Sequence, residues 1–270
     1  MAHFSGNKIL NFDQVFIVLK TLGSGTFGKV VQLKSKLTGK LYALKILKEY
    51  DEAAEKEVGM LKWLTKQPSV KKEIVNYVDF FIYRNHFCIL MEFIDGIEIN
   101  DYFNNQRTLR DWIQFGIWLL TTINHLHQLN VMHHDIKTDN ILKTKTGYKL
   151  IDFGVACKIN GRKYKCTNSR SAILFTPPEI LNGLYTDHTN KKWDVYAIGV
   201  TLYYLLTECF PYKVNRQQYI IDPQYRPAKS SQLTKEINRV LKGMLDLNVN
   251  QRLTAADGVV LMHQLNRLIK

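Results

Sequence analysis

The feature that most constrains this chain is a change of hydrophobic period near residue 91. Before it, short β-branched or alternating runs with glycine punctuation read as strands: Val15–Leu22, Val30–Leu33 and Leu41–Leu47. Lys36-Leu37-Thr38-Gly39-Lys40 reads as a hairpin turn between two of them, and Phe80–Ile82 and Phe87–Met91 as two further strands. One helix interrupts this front part. Asp51–Lys66 places Glu57, Met60, Leu61 and Leu64 on one face at i, i+3, i+4, i+7, although Gly59 costs it about 1 kcal/mol against alanine. Beyond residue 91 the period is helical over Leu109–Leu129, Val195–Thr207 and Thr234–Leu245. Strands first and helices after imply an α+β chain of two lobes. Residues 1–90 form a small β-rich front with one main helix, 91–96 a connection, and 97–270 a larger helical back.

The chain has 270 residues, of which 46% are hydrophobic; that suits one large domain or two small lobes sharing a cleft, and excludes general disorder. No run reaches about 18 uninterrupted apolar residues, so no transmembrane helix is expected. The longest apolar stretch, Val195 to Phe210, carries Thr201, Thr207 and Glu208 and reads as a buried helix. The start, Met1-Ala2-His3-Phe4-Ser5, lacks a basic-then-apolar leader, so secretion is not expected. Cys88, Cys157, Cys166 and Cys209 show no CxxC spacing, which fits reduced thiols in cytoplasm or nucleus. The formal net charge is +13. Five of the basic residues (Lys158, Arg162, Lys163, Lys165, Arg170) lie between Asp152 and Glu179, with no acid between those two. They form either a solvated loop or a surface for phosphate groups and acidic partners.

Gly23-Ser24-Gly25-Thr26-Phe27-Gly28 fits GxGxxG. A dinucleotide-binding fold would follow the last glycine with a helix, but Lys29–Leu33 reads as a strand. Gly23–Lys29 also spells GxxxxGK, the start of a Walker A loop, but Val30 stands where that loop needs Ser or Thr for magnesium. A strand, a glycine loop and a second strand instead let backbone N–H groups cover the phosphates of a nucleotide. Tyr42-Ala43-Leu44-Lys45 follows on a strand. Lys45 could be a snorkelling surface residue, but it also stands where a phosphate contact is needed. Glu57 lies on an otherwise apolar helix face, where a carboxylate is costly unless paired. Lys45 is its natural partner, with Glu55 as the alternative.

The most informative stretch is Val131-Met132-His133-His134-Asp135-Ile136-Lys137-Thr138-Asp139-Asn140-Ile141-Leu142, followed by Lys149-Leu150-Ile151-Asp152-Phe153-Gly154 and Thr176-Pro177-Pro178-Glu179. In this order, from Leu22 to Arg252, the chain resembles the eukaryotic protein-kinase family and its bilobal fold. The resemblance implies transfer of the γ-phosphoryl of ATP, with Mg2+ (or Mn2+) as metal. It implies that Asp135 orients the substrate hydroxyl, Lys137 touches the γ-phosphate, and Asn140 and Asp152 hold the metal. Lys45, paired with Glu57, would hold the other phosphates under Gly23, Gly25 and Gly28. Leu22, Val30, Ala43 and Leu142 would sandwich adenine. Met91 would guard the back pocket, Glu92, Phe93 and Ile94 would form the hinge, and Glu98 would reach the ribose. Asp194 resembles the buried aspartate that braces the catalytic loop, and Arg252 the arginine paired to Glu179. The sequence Asp135-Ile136-Lys137-Thr138-Asp139-Asn140 is similar to the Ser/Thr class.

The chain departs from the family in places. His134 replaces the arginine that pairs with an activation-loop phosphate, and a mostly neutral imidazole cannot make that bidentate fork. Activity without strong dependence on phosphorylation of Thr167, Ser169 or Ser171 is the expectation. Pro177 replaces the alanine of APE, and either Ala172 or Ser171 takes the family threonine position. Asp139 favours a basic residue before the target hydroxyl, whereas the basic loop favours acidic sites. The compact size, the short segment between Lys45 and Glu57 and the absence of regulatory extensions resemble minimal viral kinases of the baculovirus type. That resemblance implies a host nucleus and substrates among basic DNA-packaging proteins. Three rival readings compete with this one. His125, His127, His133 and His134 could form a metal cluster. His134 could mark a pseudokinase scaffold, although Lys45, Asp135 and Asp152 are all present. The charge could signal a nucleic-acid-binding protein, but no aromatic-interleaved basic motif appears, which leaves only weak direct contact with nucleic acid.

Overall fold

The structure, a computed structural model, describes residues 12–25, 28–105, 108–159, 173–181, 190–215, 220–222 and 232–269. It divides into two compact units, Met1–Gly96 with Thr144–Gly154, and Ile97–Lys143 with Val155–Lys270.

The first unit is built on an antiparallel five-stranded sheet. Its strands are β1 (Phe16–Gly25), β2 (Gly28–Ser35), β3 (Leu41–Leu47), β4 (Tyr77–Tyr83) and β5 (His86–Glu92), in the order β1-β2-β3-β5-β4. The β2–β3 turn places Gly39 at φ 70° and closes with Gly39 N–H donating to Ser35 O. The β4–β5 turn has only Arg84 and Asn85 between the strands, at φ 48° and 64°, which suits the right-handed twist of a two-residue hairpin. A short helix, α1 (Phe12–Val15), precedes β1, and Phe12, Val15 and Phe16 pack with Val31, Leu33, Leu44, Phe81, Cys88 and Leu90. Helix α2 (Glu52–Leu64) begins at Asp51, whose side chain accepts from Ala54 N–H at 2.9 Å, satisfying one of the unpaired donors of the first turn. Its buried residues are Ala54, Glu57, Leu61 and Leu64.

Residues 144–154, which the change of period assigns to the back lobe, are counted with this unit for a structural reason. Val75 N–H donates to Leu150 O, Leu150 N–H donates to Glu73 O, and Lys149 Nζ donates to Ile74 O. A backbone bridge of this kind gives no signal in the period of either segment.

The second unit is helical. It contains α3 (Ile99–Asn105), α4 (Leu109–Gln128), α5 (Pro178–Leu181), α6 (Lys192–Thr207), α7 (Gln232–Met244) and α8 (Ala255–Leu268). Thr108 caps α4 by accepting from Asp111 N–H, and Thr254 with Asp257 forms a capping box at α8. Helix α4 packs on α6 and α8, and α6 on α7. Gly199 permits the last contact, because a Cβ there would lie 2.9 Å from the Cβ of Met244. Helix α6 is buried along most of its length and ends at Glu208 in the left-handed region, φ 57°. No helix among the described residues is long and apolar enough to cross a membrane. Cys88 and Cys209 are free thiols, whereas Cys157 is disulfide-bonded, a departure from the expectation of reduced cysteines.

Candidate active site

In the first unit, β3 carries Lys45 opposite Val30 on β2 and Ile89 on β5, and the lysine is buried. Its Nζ donates to Glu57 Oε1 at 2.5 Å and to Asp152 Oδ1 at 3.2 Å. Glu55 is exposed. Burial works against the Lys45 charge, but the carboxylates of Glu57 and Asp152 outweigh it and raise its pKa. Burial pushes the Glu57 carboxyl upward, and the lysine opposes this. At 2.5 Å we take the pair as ionised, because a neutral Glu57 would leave the buried ammonium poorly compensated. Asp152 adopts φ 62° and accepts from Gly154 N–H at 3.1 Å.

The glycine segment lies on the β1–β2 hairpin, where Gly23 pairs with Val30 and Gly25 with Gly28. Gly28 sits at φ 152°, and a Cβ there would meet Ile46 O at 2.1 Å, so only glycine fits. Thr26 and Phe27 lie outside the described residues. Leu22 is exposed and Val30 half-buried, while Ala43 and Met91 are cross-strand partners and both buried. Glu92 and Ile94 are half-buried. The Glu92 carboxylate is committed elsewhere: Oε1 accepts from Asn76 N–H, Asn76 Nδ2 and Lys149 Nζ. This clamp was not foreseen, since residues 76, 92 and 149 have no relation in sequence.

In the second unit the segment around Asp135 folds on itself. Asp135 Oδ2 accepts from Lys137 Nζ and from Asn140 Nδ2, each at 2.8 Å, and Asn140 Nδ2 also donates to Asp135 O. Asp135 and Asn140 are buried; Lys137 and Leu142 are half-buried. Glu98 is exposed at the start of this unit, and burial first, then Asp139 and Asp101, raise its carboxyl pKa. Beneath the segment lies Asp194, with no exposed surface. Its Oδ1 accepts from His134 N–H at 2.8 Å, and its Oδ2 accepts from His133 N–H at 2.9 Å and meets His127 Nε2 at 2.8 Å. Burial alone would raise this carboxyl, but the hydrogen bond and pull of His127, followed by His134 and His133, lower it to about 2. An ionised carboxylate only accepts, so His127 must carry its proton on Nε2. Holding two successive N–H groups toward one carboxylate accompanies a φ of 64° at His134, a strained value for histidine.

Taken unit by unit, the oxygen donors are of the kind a hard cation takes. In the second unit Asn140 uses its amide nitrogen toward Asp135 and leaves its Oδ1 out of that bond, and in the first unit the Asp152 carboxylate is 32% exposed. The histidines do not form a metal centre. His127 is engaged by Asp194, and no group of three or more metal-ligating side chains occurs among the described residues.

A profile described as "Protein kinase domain" matches residues 16–264. The chain belongs to the protein kinase family. Among similar proteins, the kinase is 32% identical to "Probable serine/threonine-protein kinase dyrk2" of Dictyostelium discoideum over 74% of its own length and 23% of that protein. It is 28% identical to "Calcium-dependent protein kinase 4" of Plasmodium falciparum over 95% of its length and 50% of that protein. It is also 28% identical to "Serine/threonine-protein kinase cds1" of Schizosaccharomyces pombe over 94% of its length and 59% of that protein. The chain therefore spans about a quarter to three-fifths of these relatives.

Two further contacts of this kinase bear on one departure from the family, at His134, and on one match to it, at Arg252. The His134 ring stacks on Trp193, with centroids 4.3 Å apart and planes at 27°. Arg252 grips Glu179 through both carboxylate oxygens, at 2.7 and 2.9 Å. Thr167, Ser169, Ser171 and Ala172 lie outside the described residues.

Proposed function

We propose that this chain is a serine/threonine kinase that uses Mg-ATP. The observation that carries the reading is the pair of constellations, Lys45–Glu57–Asp152 and Asp135–Lys137–Asn140, within a protein kinase domain. Lys45, held by Glu57, binds the nucleotide phosphates, and the backbone of Gly23, Gly25 and Gly28 covers them. Asn140 in the second unit and Asp152 in the first are the residues that would hold Mg2+, with Mn2+ as the alternative, and the ion would supply neutralisation of phosphate charge. Asp135 orients the substrate hydroxyl and takes its proton, while Lys137 steadies the group in transfer. Almost all the catalytic benefit comes from positioning and charge. By the family resemblance, Leu22, Val30, Ala43 and Met91 of the first unit would contact adenine, with Glu92 and Ile94 bonding it through backbone atoms; in the second unit Leu142 would contact adenine and Glu98 the ribose. The Ser/Thr preference rests on Lys137 two residues after Asp135 and on the printed names of the relatives.

Strong dependence on activation-loop phosphorylation is not part of this reading, because His134 is buried against Trp193 and offers no guanidinium. The placement with compact viral kinases, in a host nucleus and acting on basic packaging proteins, rests on the twelve-residue step from Lys45 to Glu57. The test is phosphoryl transfer to a library of Ser, Thr and Tyr peptides, with the wild type and the triple Thr167, Ser169, Ser171→Ala variant. The expected result is Ser/Thr labelling by both. Tyr labelling would overturn the specificity, and loss of nearly all activity in the triple variant would overturn the role given to His134.

A further inference from the structure

The edge of the sheet in the first unit carries a feature that phosphoryl transfer does not use. Strand β1 is an outer strand, and nine of its ten residues are exposed. Ile17, Val18, Leu19 and Leu22 expose 45%, 54%, 47% and 41% of their surface. Edge strands are ordinarily kept short, covered, or blunted by lysines and bulges, because their outward N–H and C=O groups template further pairing; at ten residues β1 is long for an uncovered edge. From Ile17 to Leu22 the backbone pairs only with β2 among the described residues.

The charge around this edge has one sign. Phe16 to Lys40 contains five lysines (20, 29, 34, 36 and 40) and no aspartate or glutamate. Lys34 stands directly across from Ile17, and Lys20 across from Gln32. Neither Lys20, Lys29 nor Lys34 has a carboxylate partner among the described residues.

We infer that the free edge of β1 docks an extended acidic segment of a partner protein, which adds to the sheet as a short strand. Main-chain hydrogen bonds supply the attachment in such an addition, and alternate side chains the selectivity. Ile17 and Lys20 share one face of β1 with Lys34 across from Ile17, and Val18 lies on the other, so the acidic residues of an alternating added strand meet the lysine face and its apolar residues the Val18 face. A second copy of this chain is a poor occupant, because its own β1 carries Lys20 and no carboxylate to answer the lysines of this edge. The irregularities of register at Leu19 and Leu22 break the edge into short stretches, which suits a brief segment rather than a long ladder.

The experiment measures fluorescence anisotropy of a labelled peptide alternating Asp or Glu with Val or Ile, titrated with the full chain at low salt. Two further peptides carry backbone N-methyl groups on one edge or on the other. Binding is expected, with at least a tenfold loss for one of the two N-methylated peptides and at least a tenfold loss for the Lys20→Glu/Lys34→Glu variant. Both substituted positions are exposed, and the variant's unchanged melting temperature serves as its folding control. Absence of binding, or equal binding by both N-methylated peptides, overturns strand addition. A single-stranded oligonucleotide that displaces the peptide at equal concentration overturns the choice of an acidic protein. Dimerisation through the same variant-sensitive face overturns the heterologous partner.

Discussion

Replacing Asp194 with asparagine removes the negative charge to which the segment bearing Asp135 is tied. In the wild type, Oδ1 accepts from His134 N–H, and Oδ2 accepts from His133 N–H and His127 Nε2. An asparagine that keeps its oxygen at the Oδ2 position turns its NH2 toward the His134 N–H, donor against donor. One buried N–H is then orphaned and two remaining bonds lose their charge. Bonds to charged groups contribute roughly 1.5 to 3 kcal/mol each, and breaking a buried charged cluster costs a few kcal/mol, so the expected loss is about 3 kcal/mol at pH 7. The pH dependence provides a second reading. The folded carboxyl titrates at about 2 instead of 3.8, so its ionisation contributes on the order of 2 kcal/mol. A depressed folded pKa gives stability that is complete above the unfolded pKa and lost as pH falls toward the folded one. Urea unfolding of wild type and Asp194→Asn should therefore show a constant gap from pH 7 to 5 that narrows below pH 4. A gap under about 0.5 kcal/mol at pH 7 would refute the reasoning. A gap that already narrows between pH 7 and 6 would move the titration to the histidines.

Other outcomes follow from the same geometry. Lys45→Met should abolish phosphoryl transfer and also lower stability by about 3 kcal/mol, because buried Glu57 loses its main cation; unchanged thermal unfolding would contradict the ionised pair. Arg252→Lys keeps the charge but loses the fork to Glu179 at 2.7 and 2.9 Å, so calorimetry should show a loss of about 2 kcal/mol, with near-neutrality as the contrary result. Thr254→Ala removes the capping box of α8 and should cost about 1 kcal/mol in urea unfolding without altering the KM for ATP.

The strands of the five-stranded sheet and the long helices were legible because each carries its own period, whereas the short strands after residue 95, of two to four residues, carry none. Phe80–Ile82 and Phe87–Met91 lie inside β4 and β5, and Leu109–Leu129 overlaps α4 almost end to end. Four of the described helices, α1, α3, α5 and α8, were not read from the period. Helices α1 and α5, of four residues each, and α3, of seven, are too short for a 3.6-residue repeat to show. Helix α8 did carry a signal, Thr254 three residues before Asp257, in the manner of a capping box. Burial on α2 followed the expected face except at Met60, which is only half-buried. Contacts made by tertiary packing left no trace in sequence. Nothing in the spacing brings Lys149 and Asn76 to Glu92, lays His134 on Trp193, or joins residues 149–150 to 73–75. Pairing of Lys45 rather than exposure could be argued from Glu57, because a carboxylate on an apolar helix face demands a cation. The adjacency of Asp152 to that pair could not.

The central claim is that Asp135 receives and orients the hydroxyl to which phosphate is transferred. The direct measurement is the rate of phosphoryl transfer from Mg-ATP to a Ser/Thr peptide by wild type and Asp135→Asn, with ATP binding measured on both. Asparagine preserves the size of the side chain and its place beside Lys137 and Asn140 but removes the base. The account predicts a fall of roughly 10²-fold or more in rate, with ATP affinity changed by less than about 3-fold, since that binding is assigned to Lys45 and the glycine segment. A variant that transfers phosphate at nearly the wild-type rate, or a wild type inactive with both Mg2+ and Mn2+, would contradict it.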